Sequence, residues 1–292
     1  MQNIQNTQNK IPIDLHCHSD FSDGSYNVKD LLDLIVKHEG KHIALTDHDT
    51  VSGIESATTY AKSLNLNLIA GVEISVTWRE HLIHIVGLNI NYTNKLLNDE
   101  LYKLRQARIE RSKKIAERLE SIGIKNSLAG AMNFCKNPEN ISRTHFMKFL
   151  IANNYASRNN AFDKYLAPGK IAYIKQQWAT LEQSIYWIRQ AGGVAVIAHP
   201  CRYKLNKNLL IELIKDFKQL GGMAIEVVTP NHSNNDANTI ALIAKEYDLL
   251  ASLGSDFHEY KPSQIITPGK NYPLPKICKP VYQSEYLNLI IS

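Results

Sequence analysis

Ile13-Asp14-Leu15-His16-Cys17-His18-Ser19 is the stretch on which the fold turns. It opens as a short apolar strand and ends in two imidazoles one residue apart. In extended chain, alternate side chains share a face, so His16 and His18 project together, about 7 Å apart at Cα. Two imidazoles so placed can reach one ion through metal–nitrogen bonds of roughly 2 Å. Cys17 points the other way, as a small packed residue.

Outward from this stretch, the first apolar run (Ile11–Leu15) is followed by six more: His42–Thr46, Leu66–Ser75, Leu82–Asn89, Val194–His199, Met223–Val228 and Leu249–Ser255. Each has the length and the Ile/Val/Leu content of a buried parallel strand. Helical periodicity fills most of the intervals. Asn27–His38 is closed by Gly40, read as a left-handed cap. Thr180 and Gln183 form a capping box that opens a helix ended by Gly192-Gly193. Asn206–Leu220 and Asn235–Tyr247 continue the alternation, which implies parallel βα units.

One interval departs from it. From about Lys95 to Ile171 only helical patterns occur, at Leu97–Ile122, Ser127–Cys135 and Ser142–Asn154. The expected organisation is one barrel in two parts, 11–97 and 172–292, with a helical insertion at 98–171 between the fourth and fifth strands, covering the substrate. The proline-punctuated tail after Lys261 is expected to be irregular and folded over the surface. Met1–Lys10 is a polar lead-in unlike a secretory signal.

Composition narrows the function classes. The apolar fraction is 44% and the charged fraction 21%, ordinary for a globular protein. No apolar run approaches the roughly 20 residues of a membrane span. Cys17, Cys135, Cys201 and Cys278 are scattered without a CxxC pair, which disfavours disulfides and thiolate zinc and suits a cytoplasmic protein. The net charge of +5 is compatible with a polyanionic substrate without requiring one. Nothing points to a membrane or an obligatory protein partner.

Metal-type residues recur in phase with the strands. Strand one leads to His16, His18 and Asp23, strand two to Asp47, His48 and Asp49. Strand three carries Glu73 and strand four His84; strand five ends at His199, strand six holds Glu226, and strand seven leads to Asp256 and His258. In α/β barrels catalytic residues sit at the C-terminal ends of the strands. His16, His18, Asp23, His48, Glu73, His84, His199, Asp256 and His258 are too many ligands for one ion and suit two or three, with Glu73 bridging. A mixed imidazole and carboxylate shell fits Mn²⁺, Fe²⁺ or Zn²⁺ and disfavours Cu(I). Closely spaced ions of this kind clamp a phosphoryl group and generate hydroxide at neutral pH.

Asp14-Leu-His-Cys-His-Ser19, Thr46-Asp-His-Asp49, Gly71-Val-Glu-Ile-Ser75, Ala198-His-Pro200 and Gly254-Ser-Asp-Phe-His258 resemble the motifs of the PHP (polymerase and histidinol phosphatase) family. That resemblance implies a distorted (β/α)7 barrel. The insertion and Lys164-Tyr-Leu-Ala-Pro-Gly169 resemble the branch containing RNase AM and the 3′,5′-nucleoside bisphosphate phosphatases. It implies a phosphoesterase acting on a nucleotide or RNA with a terminal phosphate, with manganese as the leading metal. One ion would be held by His16, His18, Glu73 and Asp256, a second by Glu73, His84 and His199, a third by Asp23, His48 and His258. Glu73, His258 and Asp47 are the implied catalytic residues, with Asp47 and Asp49 orienting ligands from behind. For Asp49, helix capping is the competing expectation. Glu226 is expected either to orient a site residue or to fill a core position.

Substrate-binding candidates are Arg143, Thr144, His145, Arg105, Arg108 and Gly24. Ser142 is placed to cap a helix whose free N–H groups favour an anion, and Arg143 can add a bidentate phosphate contact. Arg105, Arg108 and Arg111 recur every three residues and share a helix face, either solvated or leading a nucleic-acid backbone to the metals. Tyr102, Tyr155, Tyr165 and Tyr173 are available for base stacking. Three other functions compete. A histidinol-phosphatase-like enzyme fits the motifs but not the insertion. An amidohydrolase would commonly bridge its metals with a carboxylated lysine, where this chain has Glu73. A non-catalytic domain should have lost ligands, and none of the nine is missing.

Overall fold

The computed structural model describes residues 12–230, 232–260, 266–270 and 273–287. The expected lead-in at Met1–Lys10 lies outside them. Among the described residues, eight strands form one sheet: β1 (Ile13–Cys17), β2 (His42–Leu45), β3 (Asn67–Trp78), β4 (His81–Leu88), β5 (Ala179–Thr180), β6 (Val194–Ile197), β7 (Ala224–Val228) and β8 (Leu250–Leu253). Seven follow the order β1-β2-β3-β4-β6-β7-β8, and the two-residue β5, absent from the sequence reading, pairs beside β3 at Val76 and Thr77. The ring nearly closes where His18 N–H donates to Phe257 O at 3.0 Å and Asp256 N–H to His16 O at 2.7 Å.

The expectation of parallel strands throughout needs one correction. β4 runs antiparallel to both β3 and β6. Trp78 pairs with His81, so Arg79 and Glu80 alone make the turn, with Arg79 at φ 52°. A two-residue connection can join only antiparallel strands, because a parallel pair needs a crossover of a dozen or more residues. His84 therefore reaches the barrel mouth from the early half of a descending strand.

Helices α1 (Val28–Lys37), α2 (Ile54–Ser63), α6 (Leu181–Gln190), α7 (Lys207–Gln219) and α8 (Asn234–Glu246) cover the outside. Insertion helices α3 (Lys95–Glu120), α4 (Ser127–Met132) and α5 (Arg143–Ala152) lie between β4 and β5. In α1, Asn27 accepts from Asp30 N–H and Val28, Leu31, Leu32 and Ile35 are buried, the i, i+3, i+4, i+7 stripe of a helix on a sheet. The Thr180/Gln183 capping box opens α6, and Gly192 leaves it at φ 75°. Gly40 is not the left-handed cap of α1. Glu39 takes that conformation at φ 64°, and Gly40 is needed because a Cβ there would lie 2.4 Å from Ile35 Cγ2.

Two apolar layers follow from the alternation of the strands. One packs sheet against helices; the other, with Ile13, Leu15, Ala44, Ile69, Val86, Leu88, Val196, Ala224 and Leu253, draws on all seven main strands and fills the ring. The tail does more than cover the surface. Val281, Tyr282 and Leu287 join the ring-filling cluster and Pro280 bridges to Ala251, so the tail plugs the barrel at the end away from the histidines. The insertion has its own core around Ile115, Leu119, Phe146, Phe149, Leu150 and Leu166.

Candidate metal centre

All nine expected ligands converge at one end of the barrel. His16, His18, Glu73 and Asp256 offer ligand atoms within 4.8 Å of one another, as do His48, Glu73 and His84, and as do His18, Asp23, His48 and His258. Glu73 is the hub. Its Oε1 lies 2.9 Å from His84 Nδ1 and from His199 Nε2, and its Oε2 lies 2.9 Å from His48 Nδ1 and 3.3 Å from both His16 and His18 Nε2. The grouping differs from the expected partition: His199 falls in none of the three groups, although it reaches Glu73. His48 approaches Glu73 as well as Asp23, and His18 stands between the first and third groups, its ring 4.0 Å from that of His258. A bulge in β1 between Asp14 and Cys17, with β8 alongside, lets both histidines face inward.

These donors fit divalent cations. Among the described residues, Asp23 Oδ1, Glu73 Oε2 and Asp256 Oδ1 are buried and find no hydrogen-bond partner. Buried acceptors of this kind are costly unless a cation or donor meets them. Burial opposes ionisation of Glu73, yet His48, His84 and His16 hold its carboxyl well below the usual range. Burial likewise opposes charge on His18, but Asp256 and Glu73 push it up to about 10. The centre attracts positive charge strongly.

Behind the candidate ligands stand residues that orient them. Glu226 Oε1 accepts from His16 Nδ1 at 2.7 Å and its Oε2 from His199 N–H at 2.5 Å, so it is an orienting residue rather than core filling. Asp14 accepts from Ser255 N–H at 2.8 Å and Gly269 N–H at 2.9 Å, tying β1 to the loop after β8 and to the tail. Asp47 was expected among the catalytic residues. Its carboxylate instead accepts from Ser19 N–H, Ser19 Oγ and Ser22 Oγ at 2.8, 2.6 and 2.5 Å, bracing the loop that carries Asp23. Gly24, expected to touch substrate, is required by that same loop, since a Cβ there would fall 2.6 Å from His18 O. His258 is the outermost of the candidate ligand histidines, with a side chain 26% exposed and Nε2 3.2 Å from Asp23 Oδ1.

The arginines of α3 also depart from expectation. Arg108 is buried against Asp49, whose carboxylate also accepts from Ser75 N–H at 2.8 Å, and Asp49 caps no helix. Arg105 donates to Glu139 and to Asp49 O, both at 2.9 Å. These two guanidinium groups dock α3 onto the barrel, a use that helical spacing alone does not reveal, and Arg108 also borders the cleft described next. Arg111, outside the candidate set, is different. It stacks 5.6 Å from the Trp178 ring and donates to Ile174 O at 3.0 Å; burial, with Arg143 and Arg108 nearby, lowers it to about 9. Arg143 donates to Leu166 O at 3.3 Å and lies over Phe162 and Tyr173. Arg108, Arg111, Ser142 and Arg143 line one cleft, and among the described residues neither Arg111 nor Arg143 pairs with a carboxylate. Thr144 is half-buried on the first turn of α5. His145 is buried and its Nδ1 accepts from Ser142 N–H at 3.0 Å, so it supports the helix start and does not offer that nitrogen to a ligand. Tyr155 and Tyr165 pack against the insertion core, leaving Tyr173 beside Arg143 and Tyr102 half-exposed beside Arg105.

The PHP domain family matches residues 14–290 of the chain. A 3′,5′-nucleoside bisphosphate phosphatase of Chromobacterium violaceum is 41% identical over 93% of this chain and 95% of its own. The 5′-3′ exoribonuclease Rnm of Escherichia coli K12 is 39% identical over 96% of each. A crystal structure from C. violaceum, described as an amidohydrolase with bound sulfate and no metal, superposes with a TM-score of 0.88 at 41% identity, covering 93% of this chain and 95% of that one. A second, from Bifidobacterium adolescentis and described as a candidate metal-dependent phosphoesterase, gives 0.77 at 26% identity over 92% of each chain. No helix among the described residues is long and apolar enough to cross a membrane.

Proposed function

Because the chain belongs to the PHP family, we propose that it is a metal-dependent phosphoesterase that hydrolyses phosphate esters of nucleotides, at RNA 5′ ends, in 3′,5′-nucleoside bisphosphates, or in both. The observation that carries this reading is the pairing of a carboxylate–imidazole centre with a buried arginine cleft on the covering insertion. The centre suits the reacting phosphoryl group and the cleft a second phosphate of the same substrate. Both relatives named above act on nucleotide phosphates by their names, which supports the reading.

His16, His18, Glu73 and Asp256 would hold one ion, and Glu73 with His48, His84 and His199 a second. His18, Asp23, His48 and His258 would hold a third. Oxygen and nitrogen donors without sulfur favour manganese, with iron or zinc as substitutes. Bound ions of this kind supply Lewis acidity, lowering the pKa of water and offsetting charge on the phosphoryl oxygens. The chain's own contribution is placement. Glu73 would be shared between the ion positions, Glu226 keeps the His16 ring from turning, and Asp47 braces the loop that carries Asp23. Arg111, Arg143 and the first N–H groups of α5 orient the substrate by its non-reacting phosphate, fixing the ester at the centre. The amidohydrolase alternative rests on the description of one neighbour, whereas the bridging position here is a glutamate. Four free thiols fit a cytoplasmic enzyme.

The test is a product assay in which purified protein with Mn²⁺ receives 5′-phosphorylated RNA and 3′-phosphoadenosine 5′-phosphate in parallel. Mononucleotides from the first or inorganic phosphate from the second support the reading. Neither product, from a protein that has taken up metal, removes it.

A further inference from the structure

We propose that Asn140 of the insertion is a positioning residue that fixes Asp23 relative to His48. It thereby sets the affinity of the ion that these two would share with His18 and His258, a role that rests on the metal-dependent reading of the centre. Asn140 ends the 3-10 turn Pro138–Asn140, which Asn137 caps by accepting from Glu139 N–H at 3.2 Å. Its side-chain amide donates to Phe21 O at 2.7 Å and to His48 O at 3.1 Å. Phe21 lies two residues before Asp23 on the loop after β1, and His48 is itself a candidate ligand on the loop after β2. One amide therefore joins two loops, each carrying a member of the same candidate group. Neighbouring contacts reinforce it: Asn137 donates to Phe21 O and Arg105 to Asp49 O, both at 2.9 Å.

The chemistry of the amide favours this role over packing. Asn140 is 2% exposed, and its Oδ1 is buried and finds no hydrogen-bond partner among the described residues. A buried carbonyl without a partner is costly, and an aliphatic side chain would fill the seam without that cost. What an aliphatic chain could not supply is two N–H donors on one nitrogen, shared between two backbone carbonyls. The same pair fixes the orientation of the amide, since the reversed group would set its oxygen against two carbonyl oxygens. Metal affinity depends on such restraint, because ligand atoms must hold their places to within about 0.2 Å. Asp23 Oδ1 and His48 Nε2 stand 3.8 Å apart. Asp47 braces the Asp23 loop from the barrel, through Ser19 and Ser22, and Asn140 braces it from the insertion. The insertion that covers the site thus also tunes one of its ion positions.

The experiment titrates Mn²⁺ into the full chain after chelation and counts bound ions from the electron paramagnetic resonance signal of the free ion. It compares wild type with Asp23→Asn, Asn140→Leu and Phe149→Leu, and records each melting temperature. Asp23→Asn removes an anionic ligand, and the class of site it weakens identifies the ion in question. Asn140→Leu, close in size but without donors, should weaken that same class by about 10- to 100-fold and leave the Asp256-bound ion at wild-type affinity. Phe149→Leu perturbs the insertion core and should lower the melting temperature without changing Mn²⁺ binding. Wild-type affinity at every site in Asn140→Leu overturns the inference. So does an equal loss of affinity in Phe149→Leu, because the amide then acts only through stability. If Asn140→Leu does not fold, Asn140→Ser, too short to reach both carbonyls, is read in the same way. If Asp23→Asn binds Mn²⁺ as wild type does, the metal reading of that group fails and the inference with it. An Asp23 effect without an Asn140 effect sinks the inference alone.

Discussion

Glu226 Oε1 accepts a hydrogen bond from His16 Nδ1 at 2.7 Å across the barrel, and its other oxygen accepts from the backbone of His199. One buried carboxylate from β7 thus sets the ring of a candidate ligand on β1 and the chain direction at another after β6. Outer partners of this kind fix the tautomer of a metal-binding histidine, and their loss commonly weakens metal affinity about 10- to 100-fold. Glu226→Gln should therefore remain folded and need correspondingly more Mn²⁺ for half-maximal activity. A titration of activity against free Mn²⁺ that matches wild type would return Glu226 to the core.

Glu73→Ala, His16→Ala and Asp256→Ala should each abolish turnover while circular dichroism stays native. Glu73 should have the largest effect on metal content, since its two oxygens face five histidines. Metal analysis showing wild-type occupancy in Glu73→Ala would refute the bridging assignment.

Arg143→Ala should leave metal content unchanged and lower kcat/KM by very roughly 10- to 200-fold, the worth of a charge-assisted phosphate contact of about 1.5–3 kcal/mol. A fall in kcat as well as a rise in KM is expected, because a misplaced phosphorus loses its line of attack. In the same assay, 5′-hydroxyl RNA should be a much poorer substrate than 5′-phosphorylated RNA. Equal rates on the two RNAs would leave the arginine cleft without a role in recognition.

Asp49→Asn should destabilise the protein. The carboxylate is fully buried against Arg108, and breaking a buried pair from one side typically costs about 3–5 kcal/mol. Lys113→Ala, at the exposed Lys113–Glu110 pair, should cost less than about 1 kcal/mol. Denaturant melts of the two variants that moved by the same amount would contradict the docking role assigned to Arg108.

His145 supplies a pH dependence whose sign is fixed by burial. Burial lowers its pKa to about 4, below the roughly 6.5 of an unfolded chain, so the unfolded state takes up the proton more readily. Its stability contribution is present above pH ~6.5 and is lost as pH falls through about 4. His145→Gln keeps an acceptor for Ser142 N–H without titrating there. The melting temperature of wild type should drop more steeply than that of the variant from pH 6.5 to pH 4; parallel profiles would show that His145 does not contribute.

Sequence periodicity alone located seven strands and most helices, and the phase of His, Asp and Glu along the strands marked one end of the barrel before any contact was visible. Those features are local: a strand alternates and a helix repeats wherever the chain lies. The direction of β4 was also written locally, in the two residues between Trp78 and His81, but the apolar content of the strand masked it. Other features are not local at all. Spacing places Arg105, Arg108 and Arg111 on one face of α3, yet only packing decides that Arg108 meets Asp49 while Arg111 faces Arg143. The carboxylate of Asp47 has the same chemistry as that of Glu73, and only the fold turns one toward Ser19 and the other toward five histidines. Arg202 lies three residues beyond the Val194–His199 run, and its ion-pair partner Asp256 approaches it only when β6 and β8 close the same ring. Ligand type is a property of the residue, whereas the partner of a buried charge is set by whatever the tertiary structure brings within about 4 Å of it, where a low dielectric makes that one contact decisive.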